Sequence, residues 1–162
     1  MLNEICEAVG KTLIDRKLSI AFAESATAGR LASEFAMITD AGKFLRGAIV
    51  CYDAALKIEL LHVNPDLIEQ YTPESMEVTR AITIGLQSQI SADIHIGVTG
   101  LTAQGGSETP EKPVGTMFIH GIKNGEIIFS TRCNFVGSRE EIILGSINHC
   151  AELLWEYLQE SG

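Results

Sequence analysis

Leu18–Ile38 reads LSIAFAESATAGRLASEFAMI, and its hydrophobic period changes partway along. The first part, Leu18–Ser25, is a short and nearly continuous apolar run, which is typical of a buried β-strand. Beyond Ala26 the apolar residues return at the three- and four-residue spacing of one helix face. The stretch therefore predicts a strand, a tight turn and a helix, which is the repeating unit of α/β proteins.

The same unit is predicted again on the C-terminal side of this stretch, and a helix is predicted before it. Arg46–Tyr52 is a candidate for a second buried strand, and Asp53 can cap a short helix by accepting free amide hydrogens. The opening helix ends near Arg16, and its apolar face is predicted to consist of Leu2, Ile5, Cys6, Val9 and Leu13.

The middle of the chain adds a long helix, a third strand and a long loop. The helix is introduced by a capping stretch at Pro73 and Glu74. Its inward residues are predicted to be Val78, Ala81, Ile82 and Leu86. Asp93–Gly100 is the third strand. Leu101–Gly115 is rich in Gly, Pro, Ser and Thr, so it is predicted to be a loop, and its length suggests a function.

The last third predicts a hairpin and a helix, which complete a single domain over the whole chain. Lys123–Gly125 contains an Asn-Gly pair, a strong hairpin signal, and Ser138–Leu158 has helical periodicity. The pattern predicts a three-layer α/β/α sandwich whose mixed, mainly parallel sheet ends in an antiparallel hairpin. Ligands of such sheets bind beyond the carboxyl ends of the strands, here the turns after Ala23, Val50 and Val98.

Composition excludes several classes of partner. Of 162 residues, 46% are hydrophobic and the formal net charge is −9, so no basic face is expected to attract nucleic acid or an anionic membrane. The sequence shows no signal peptide and no long apolar segment, which predicts a cytoplasmic protein. Neither a zinc site nor a redox dithiol is expected, and reduced, mostly buried thiols are predicted for Cys6, Cys51, Cys133 and Cys150.

The turn after the first strand is the first candidate site. Ser25, Thr27 and Gly29 stand where a strand meets a helix, and free amides at a helix N-terminus suit a phosphate or an oxyanion. Ser25 is either a nucleophile presented on this turn or, like Thr27, an ordinary helix cap.

Tyr52 and Lys57 follow the second strand and form the second candidate. A lysine whose pKa is lowered by burial can remove a serine proton, so Lys57 and Ser25 could form a Ser-Lys pair with Tyr52 as hydrogen-bond partner. The alternative is a solvent-facing lysine beside a half-buried tyrosine.

Two further groups could bind an anion. Thr99 and Gly100 lead into a loop in which Gly105 and Gly106 let backbone amides form an anion nest, although ordinary surface loops use the same residues. Arg139, at the start of the last helix, could bind a phosphate or carboxylate with both guanidinium nitrogens, or pair with a neighbouring glutamate.

Five motifs in fixed order resemble the C-terminal domain family of the competence-damage-inducible protein CinA and its stand-alone relatives, the nicotinamide-nucleotide amidohydrolases. The matching segments are AESATAG at 23–29, GAIVCYDAALK at 47–57, TGLTAQGG at 99–106, KPVG at 112–115 and GSR at 137–139. The resemblance implies hydrolysis of the carboxamide of nicotinamide mononucleotide to nicotinate mononucleotide and ammonia, with no metal or organic cofactor. It also implies a homo-oligomer with a small-molecule nucleotide as its substrate.

Carried over position by position, the resemblance implies that Ser25 is the nucleophile and that Lys57 is its general base and then the acid for the leaving ammonia. Tyr52 would be a catalytic hydrogen-bond partner. Substrate-binding roles would fall to Thr27, Gly29, Thr99, Gly100, Gly105, Gly106 and Arg139. Arg30 is a further candidate for binding the phosphate.

Several positions depart from the family pattern and put the substrate in question. Cys and Gly after the serine are replaced by Ala26 and Ala28, and an added methyl group restricts positive φ. Asp53 would repel a phosphate if it faced the pocket, or would simply cap a helix. The Ala-Gly-Pro turn is replaced at 102–104 by Thr, Ala and Gln. The alternative is therefore a divergent relative with another amide substrate, or a nucleotide-binding module without turnover.

Overall fold

A computed structural model describes residues 4–162, and it has the predicted three-layer α/β/α sandwich. Leu2, predicted to lie on the face of the first helix, is outside the described residues. The elements are α1 (Glu4–Asp15), β1 (Ile20–Glu24), α2 (Arg30–Ala36), β2 (Leu45–Val50), α3 (Ala54–Leu61), α4 (Pro65–Tyr71), α5 (Met76–Gln89), β3 (Ile94–Gly100), β4 (Thr116–Lys123), β5 (Glu126–Asn134) and α6 (Arg139–Glu160).

The five strands form one mixed sheet in the order β2-β1-β3-β4-β5. β1 pairs in parallel with both β2 and β3, whereas β3–β4 and β4–β5 are antiparallel. The sheet was predicted to be mainly parallel, but parallel and antiparallel pairings are equal in number, because the loop between β3 and β4 reverses the chain without a crossover helix. The chain leaves β1 toward one edge of the sheet and leaves β3 toward the other, so a switch point lies between these two strands.

Each face of the sheet packs against its own set of helices. Ile20 and Phe22 of β1 contact the layer of α1, α2 and α6, whereas Ala21 and Ala23 contact α3 and α5. This alternation follows from the two-residue period of a strand, and every residue of β1 is buried because both faces are covered. No helix within residues 4–162 is long and apolar enough to span a bilayer.

Four local predictions differ from the structure. The second strand was predicted to be buried, but β2 lies at the edge of the sheet and is only partly buried. The helix after β1 begins at Arg30 rather than at Ala26, because the intervening residues form a turn in which Ala28 has a φ of 49°. Pro65–Tyr71 is a separate short helix, with Asn64 as its cap and proline in its first turn, which the periodicity did not predict. Ser75, rather than the preceding two residues, caps α5 by accepting from Val78 N–H.

The remaining capping and turn predictions agree with the structure. The Asp53 carboxylate accepts from Ala55 N–H at 2.8 Å and so caps α3. Asn124 and Gly125 both have positive φ in the β4–β5 turn, as a two-residue hairpin requires. Cys6, Cys51 and Cys150 are buried and Cys133 is half-buried.

Candidate active site

A cavity of about 200 Å³ lies at the switch point, beyond the carboxyl ends of β1 and β3. β1 and β3 meet there directly, since Ser25 N–H donates to Val98 O at 3.0 Å. The cavity is lined by Ser25, Ala26, Tyr52, Glu74, residues 100–106 and Arg139. The site thus lies where the topology of an open α/β sheet leaves a crevice.

Ser25 and Lys57 form a buried pair at the inner end of this cavity. Lys57 Nζ lies 3.0 Å from Ser25 Oγ and donates to Cys51 O at 2.8 Å. The Lys57 residue is only 1% exposed, although it belongs to a short helix next to the surface. The reading of Lys57 as a solvent-facing lysine is therefore wrong.

Burial changes the acid–base properties of this amine. Loss of hydration lowers the pKa of Lys57, and nearby Cys51, Glu74 and Asp53 only partly oppose that shift. The pKa of the Cys51 thiol is raised, mainly by burial, so that thiol stays protonated. Ser25, not Cys51, therefore lies beside the amine as the available nucleophile.

The turn after β1 is held by a buried carboxylate. Glu24 Oε1 accepts from Thr27 Oγ1 at 2.6 Å and from Leu31 N–H at 2.9 Å, while Oε2 accepts from Ala32 N–H at 3.0 Å. Neither Ser25 nor Thr27 caps α2, because Glu24 occupies the amides at its N-terminus. These amides were predicted to receive a ligand anion, and that prediction is corrected by the structure.

Replacing Glu24 with glutamine is expected to lower the free energy of unfolding by about 1–3 kcal/mol. Glutamine keeps one acceptor oxygen, but its NH₂ group then faces Ala32 N–H, so two donors meet in a buried place. Urea unfolding monitored by circular dichroism measures the effect. The control is Glu156→Gln, which changes an exposed residue of α6, and equal midpoints for both variants would contradict the assigned role.

One backbone amide beside the nucleophile remains available. Ala26 lines the cavity, and within the described part of the chain its N–H donates to no protein acceptor. The amide that follows a nucleophile is a common donor to the oxyanion of an acyl-transfer intermediate. This position can therefore receive developing negative charge.

Four of the predicted substrate-binding residues line the cavity with Ser25. Gly100, Gly105 and Gly106 line it on the β3–β4 loop side, and Arg139 reaches it from the first turn of α6. Arg139 forms no ion pair among residues 4–162. The predicted alternative, a surface pair with a neighbouring glutamate, is therefore wrong.

Tyr52 lies at the mouth of the cavity rather than beside the reactive pair. It is 60% exposed, and no hydrogen bond joins it to Ser25 or Lys57 within the described structure. The hydrogen bond predicted between Tyr52 and this pair is therefore not formed in the described structure. The exposed ring is instead placed to contact a ligand that enters the cavity.

Three predicted substrate-binding residues do not line the cavity. Thr27 is buried against Glu24, and Gly29 caps α2 with a φ of 94°. Thr99 is fully buried against α5, where its hydroxyl lies 2.9 Å from that of Thr79, and it is not among the residues that line the cavity. These three residues belong to the structure around the cavity and not to its wall.

Two charged residues that the sequence placed near a substrate phosphate lie elsewhere. Arg30 forms ion pairs with Glu34 at 2.8 Å and Glu140 at 3.5 Å, and it does not line the cavity. Of the two alternatives for Asp53, the structure shows the helix cap: its carboxylate caps α3, and it does not line the cavity.

Sequence reasoning missed three residues around the cavity. Glu24 was recognised only as part of a motif, although an acidic residue that ends an apolar strand is itself a signal. Glu74 lines the cavity. Lys112 Nζ donates to Glu74 O at 2.8 Å and to Ser107 Oγ at 2.8 Å, which fastens the β3–β4 loop to the start of α5. Only the long-range contact reveals this function of Lys112.

The residues of the cavity suit acyl transfer. They provide a hydroxyl nucleophile, a buried amine, a free amide donor and a guanidinium at the rim. Across residues 4–162 no three His, Cys, Asp or Glu side chains lie close enough together to hold a metal ion.

Fold and site together define a three-layer α/β protein with a buried serine–lysine pair at the switch point of its sheet. The model of the CinA C-terminal domain family matches residues 2–158, so the chain belongs to that family. The resemblance found in the motifs is thereby confirmed.

Two relatives, each named "CinA-like protein", show the extent of the similarity. The protein from Thermotoga maritima is 36% identical over 153 residues, and that from Desulfotalea psychrophila is 33% identical over 157. The matches cover 94% and 96% of this chain. The chain spans about 37% of the length of either relative.

Solved structures of the same superfamily confirm the fold. The competence damage-inducible protein A (ComA) from Klebsiella pneumoniae has a TM-score of 0.91 and 25% identity, with 96% of each chain covered. A CinA superfamily protein from Escherichia coli has a TM-score of 0.86 and 25% identity, with 95% of this chain and 92% of that chain covered.

Proposed function

We propose that this protein hydrolyses the carboxamide of nicotinamide mononucleotide to nicotinate mononucleotide and ammonia. The observation that supports this most strongly is the 3.0 Å approach of Lys57 Nζ to Ser25 Oγ in a buried site. Membership of the CinA family agrees with the proposal, since the resemblance implies the same reaction. No metal or organic cofactor takes part in the proposed chemistry.

The first half of the reaction forms an acyl-enzyme. The neutral amine of Lys57 accepts the Ser25 hydroxyl proton as Oγ bonds to the carboxamide carbon. The Ala26 amide stabilises the resulting oxyanion. Lys57 then protonates the leaving nitrogen, the C–N bond breaks, and ammonia departs while the acyl group remains as an ester on Ser25.

The second half returns the enzyme to its starting state. A water molecule attacks the ester carbon, and Lys57 accepts the proton of that water. The bond between the acyl carbon and Ser25 Oγ breaks, and the proton returns from Lys57 to the serine oxygen. The product is the free carboxylic acid, which ionises in solution.

Substrate binding is assigned to the outer part of the cavity. The phosphate is assigned to Arg139, whose guanidinium lines the cavity and forms no ion pair within residues 4–162. Arg30 is not assigned to the phosphate, because it is paired with Glu34 and does not line the cavity. Tyr52 covers the pyridine ring with its exposed aromatic face. Association into a homo-oligomer is part of the same proposal, as in the family that the motifs resemble.

A second candidate function is supported by the departures from the family pattern. The departures Ala26 and Gln104 line the cavity, and Glu74, which is not part of the family motifs, adds a negative charge to the same wall. Such a wall favours a different amide substrate, or a nucleotide-binding module that does not turn over.

Ammonia release separates these candidates. The purified protein, freed of metal with a chelator, is expected to release ammonia from nicotinamide mononucleotide in a coupled glutamate dehydrogenase assay. Other nucleotide amides are assayed alongside, with protein-free reactions as the control. Absence of ammonia together with a rise in melting temperature on adding the mononucleotide would favour the binding module.

A further inference from the structure

The β3–β4 loop contains an anion nest that is already occupied by a side chain of the same loop. Gly105 N–H donates to Glu108 Oε1 at 3.0 Å, and Gly106 N–H donates to Glu108 Oε2 at 3.0 Å. These two bonds lower the pKa of the Glu108 carboxyl group, so it is ionised at neutral pH. The sequence predicts a nest for a ligand anion, and the structure places an internal carboxylate on its two donors.

The backbone on both sides of Glu108 is fixed independently of the nest. Ser107 Oγ donates to Glu74 Oε2 at 2.5 Å and accepts from Lys112 Nζ at 2.8 Å. Thr109 and Lys112 exchange two backbone hydrogen bonds, each of 3.0 Å. Glu108 can therefore leave the amides by rotation of its side chain, without refolding of the loop.

The same two glycines belong to the wall of the cavity that contains Ser25. Two adjacent amides that bind both oxygens of a carboxylate are equally suited to two oxygens of a phosphate. Gly106 is close to a second acidic group, because a Cβ atom at this position would lie 3.6 Å from Glu74 Oε1 and 3.7 Å from Glu108 Oε2. An incoming anion thus meets two carboxylates at the nest.

We propose that Glu108 is a specificity-determining residue that competes with the anionic group of a ligand for the amides of Gly105 and Gly106. The proposal rests on the proposed function in one respect, namely that the substrate enters this cavity. A phosphorylated amide must displace the Glu108 carboxylate before these amides can bind it. An amide without a phosphate enters with the carboxylate in place, so the wild-type loop weakens binding of the phosphorylated form selectively.

Binding of inorganic phosphate tests the competition without any turnover. In ¹H–¹⁵N correlation spectra, the amide signals of Gly105 and Gly106 in Glu108→Gln are expected to titrate with phosphate at a Kd about tenfold below that of wild type. Glu111→Gln is the matched control, because it removes one exposed carboxylate from the same loop and is expected to behave like wild type. Equal tightening in both glutamine variants would overturn the proposal, since a general change of charge would then explain it.

The Glu108→Asp variant separates the effect of side-chain length from the effect of the negative charge. The shorter side chain keeps the carboxylate but cannot span both amides as Glu108 does, so a Kd between those of wild type and Glu108→Gln is expected. Phosphate binding in Glu108→Gln that is unchanged or weaker than in wild type would overturn the proposal, because Glu108 would then stabilise the loop rather than compete.

A paired titration distinguishes failure of this inference from failure of the proposed function. Nicotinamide mononucleotide and its unphosphorylated riboside are titrated into wild type and Glu108→Gln by calorimetry, in the Ser25→Ala background so that no substrate is consumed. The variant is expected to bind the mononucleotide about tenfold more tightly and the riboside within about twofold of wild type. Ammonia release with no selective gain for the mononucleotide overturns only the inference, whereas phosphate competition without ammonia release overturns only the proposed reaction.

Discussion

Replacing Ser25 with alanine is expected to reduce ammonia release from nicotinamide mononucleotide at least about a hundredfold. The substitution removes the hydroxyl that lies 3.0 Å from the buried amine and leaves a methyl group in its place. The loss is expected in kcat rather than in KM, because the hydroxyl reacts with the substrate and contributes little to binding it. Single-turnover and steady-state rates measure the two effects.

Ser88→Ala is the matched control for this variant. Ser88 is exposed near the C-terminal end of α5, where its hydroxyl donates to Gly85 O, so its loss is expected to leave the rate unchanged. Mass spectrometry of wild type mixed rapidly with substrate should detect an acyl adduct on Ser25. Full turnover by Ser25→Ala would rule out the covalent route and leave direct attack by water as the reaction.

Replacing Lys57 with methionine is expected to lower kcat about a thousandfold while the protein stays folded. Methionine has a similar length and volume but no lone pair that can accept the Ser25 proton. In wild type, burial lowers the pKa of Lys57, so kcat is expected to rise with pH through that lowered pKa as the amine becomes neutral. The residual rate of the methionine variant should lack this dependence.

The pH dependence of the stability gives an independent test of the lowered pKa of Lys57. In the unfolded chain a lysine binds its proton up to a pH of about 10.4, whereas in the folded protein the Lys57 amine loses it at a lower pH. The unfolded state thus binds more protons between these two values, so the stability of wild type should rise with pH across this window relative to Lys57→Met. Below the pKa that Lys57 has in the folded protein, the buried amine is charged, and the full cost of burying that charge lowers the free energy of unfolding.

Lys11→Met controls for the loss of a charge. Lys11 is exposed and pairs with Asp15, so its removal should change neither kcat nor the pH dependence of stability. Urea unfolding of the three proteins at pH 7 and pH 10 compares their stabilities. A constant difference between wild type and Lys57→Met at both pH values would mean that the pKa of this lysine is not lowered in the folded protein.

Most of the fold follows from local sequence patterns, and the exceptions have physical causes. The apolar runs predict β1 and β3 because strands buried on both faces need continuous hydrophobicity, whereas β2, predicted from a similar run, is a partly buried edge strand. The start of α2 was misplaced because small residues such as Ala26 and Ala28 are compatible with both a helix and a turn. The start of this helix is set by the turn at Ala28 and Gly29 together with the Glu24 carboxylate, which binds the amides of Leu31 and Ala32.

The candidate site was predictable to the extent that its residues follow strand ends. Ser25 and Lys57 were paired from the sequence because the turns after neighbouring parallel strands meet at one edge of the sheet. Thr99 also belongs to a strand end, yet it is fully buried and its hydroxyl contacts that of Thr79 on α5, so it does not line the cavity. Arg139 was identified, but its lack of an ion pair within residues 4–162 was not predictable, because it depends on the long-range pairing of the neighbouring Glu140 with Arg30.

The mixed sheet separates the reacting atoms from the surface that recognises the ligand. Ser25 and Lys57 follow strands of the parallel half, whereas most of the cavity wall comes from residues 100–106, which lead into the antiparallel half. Insertions or exchanges in that connecting segment leave the bond-breaking centre untouched. Over evolutionary time, proteins of this architecture can change their substrate through substitutions in one segment while they conserve the same chemistry.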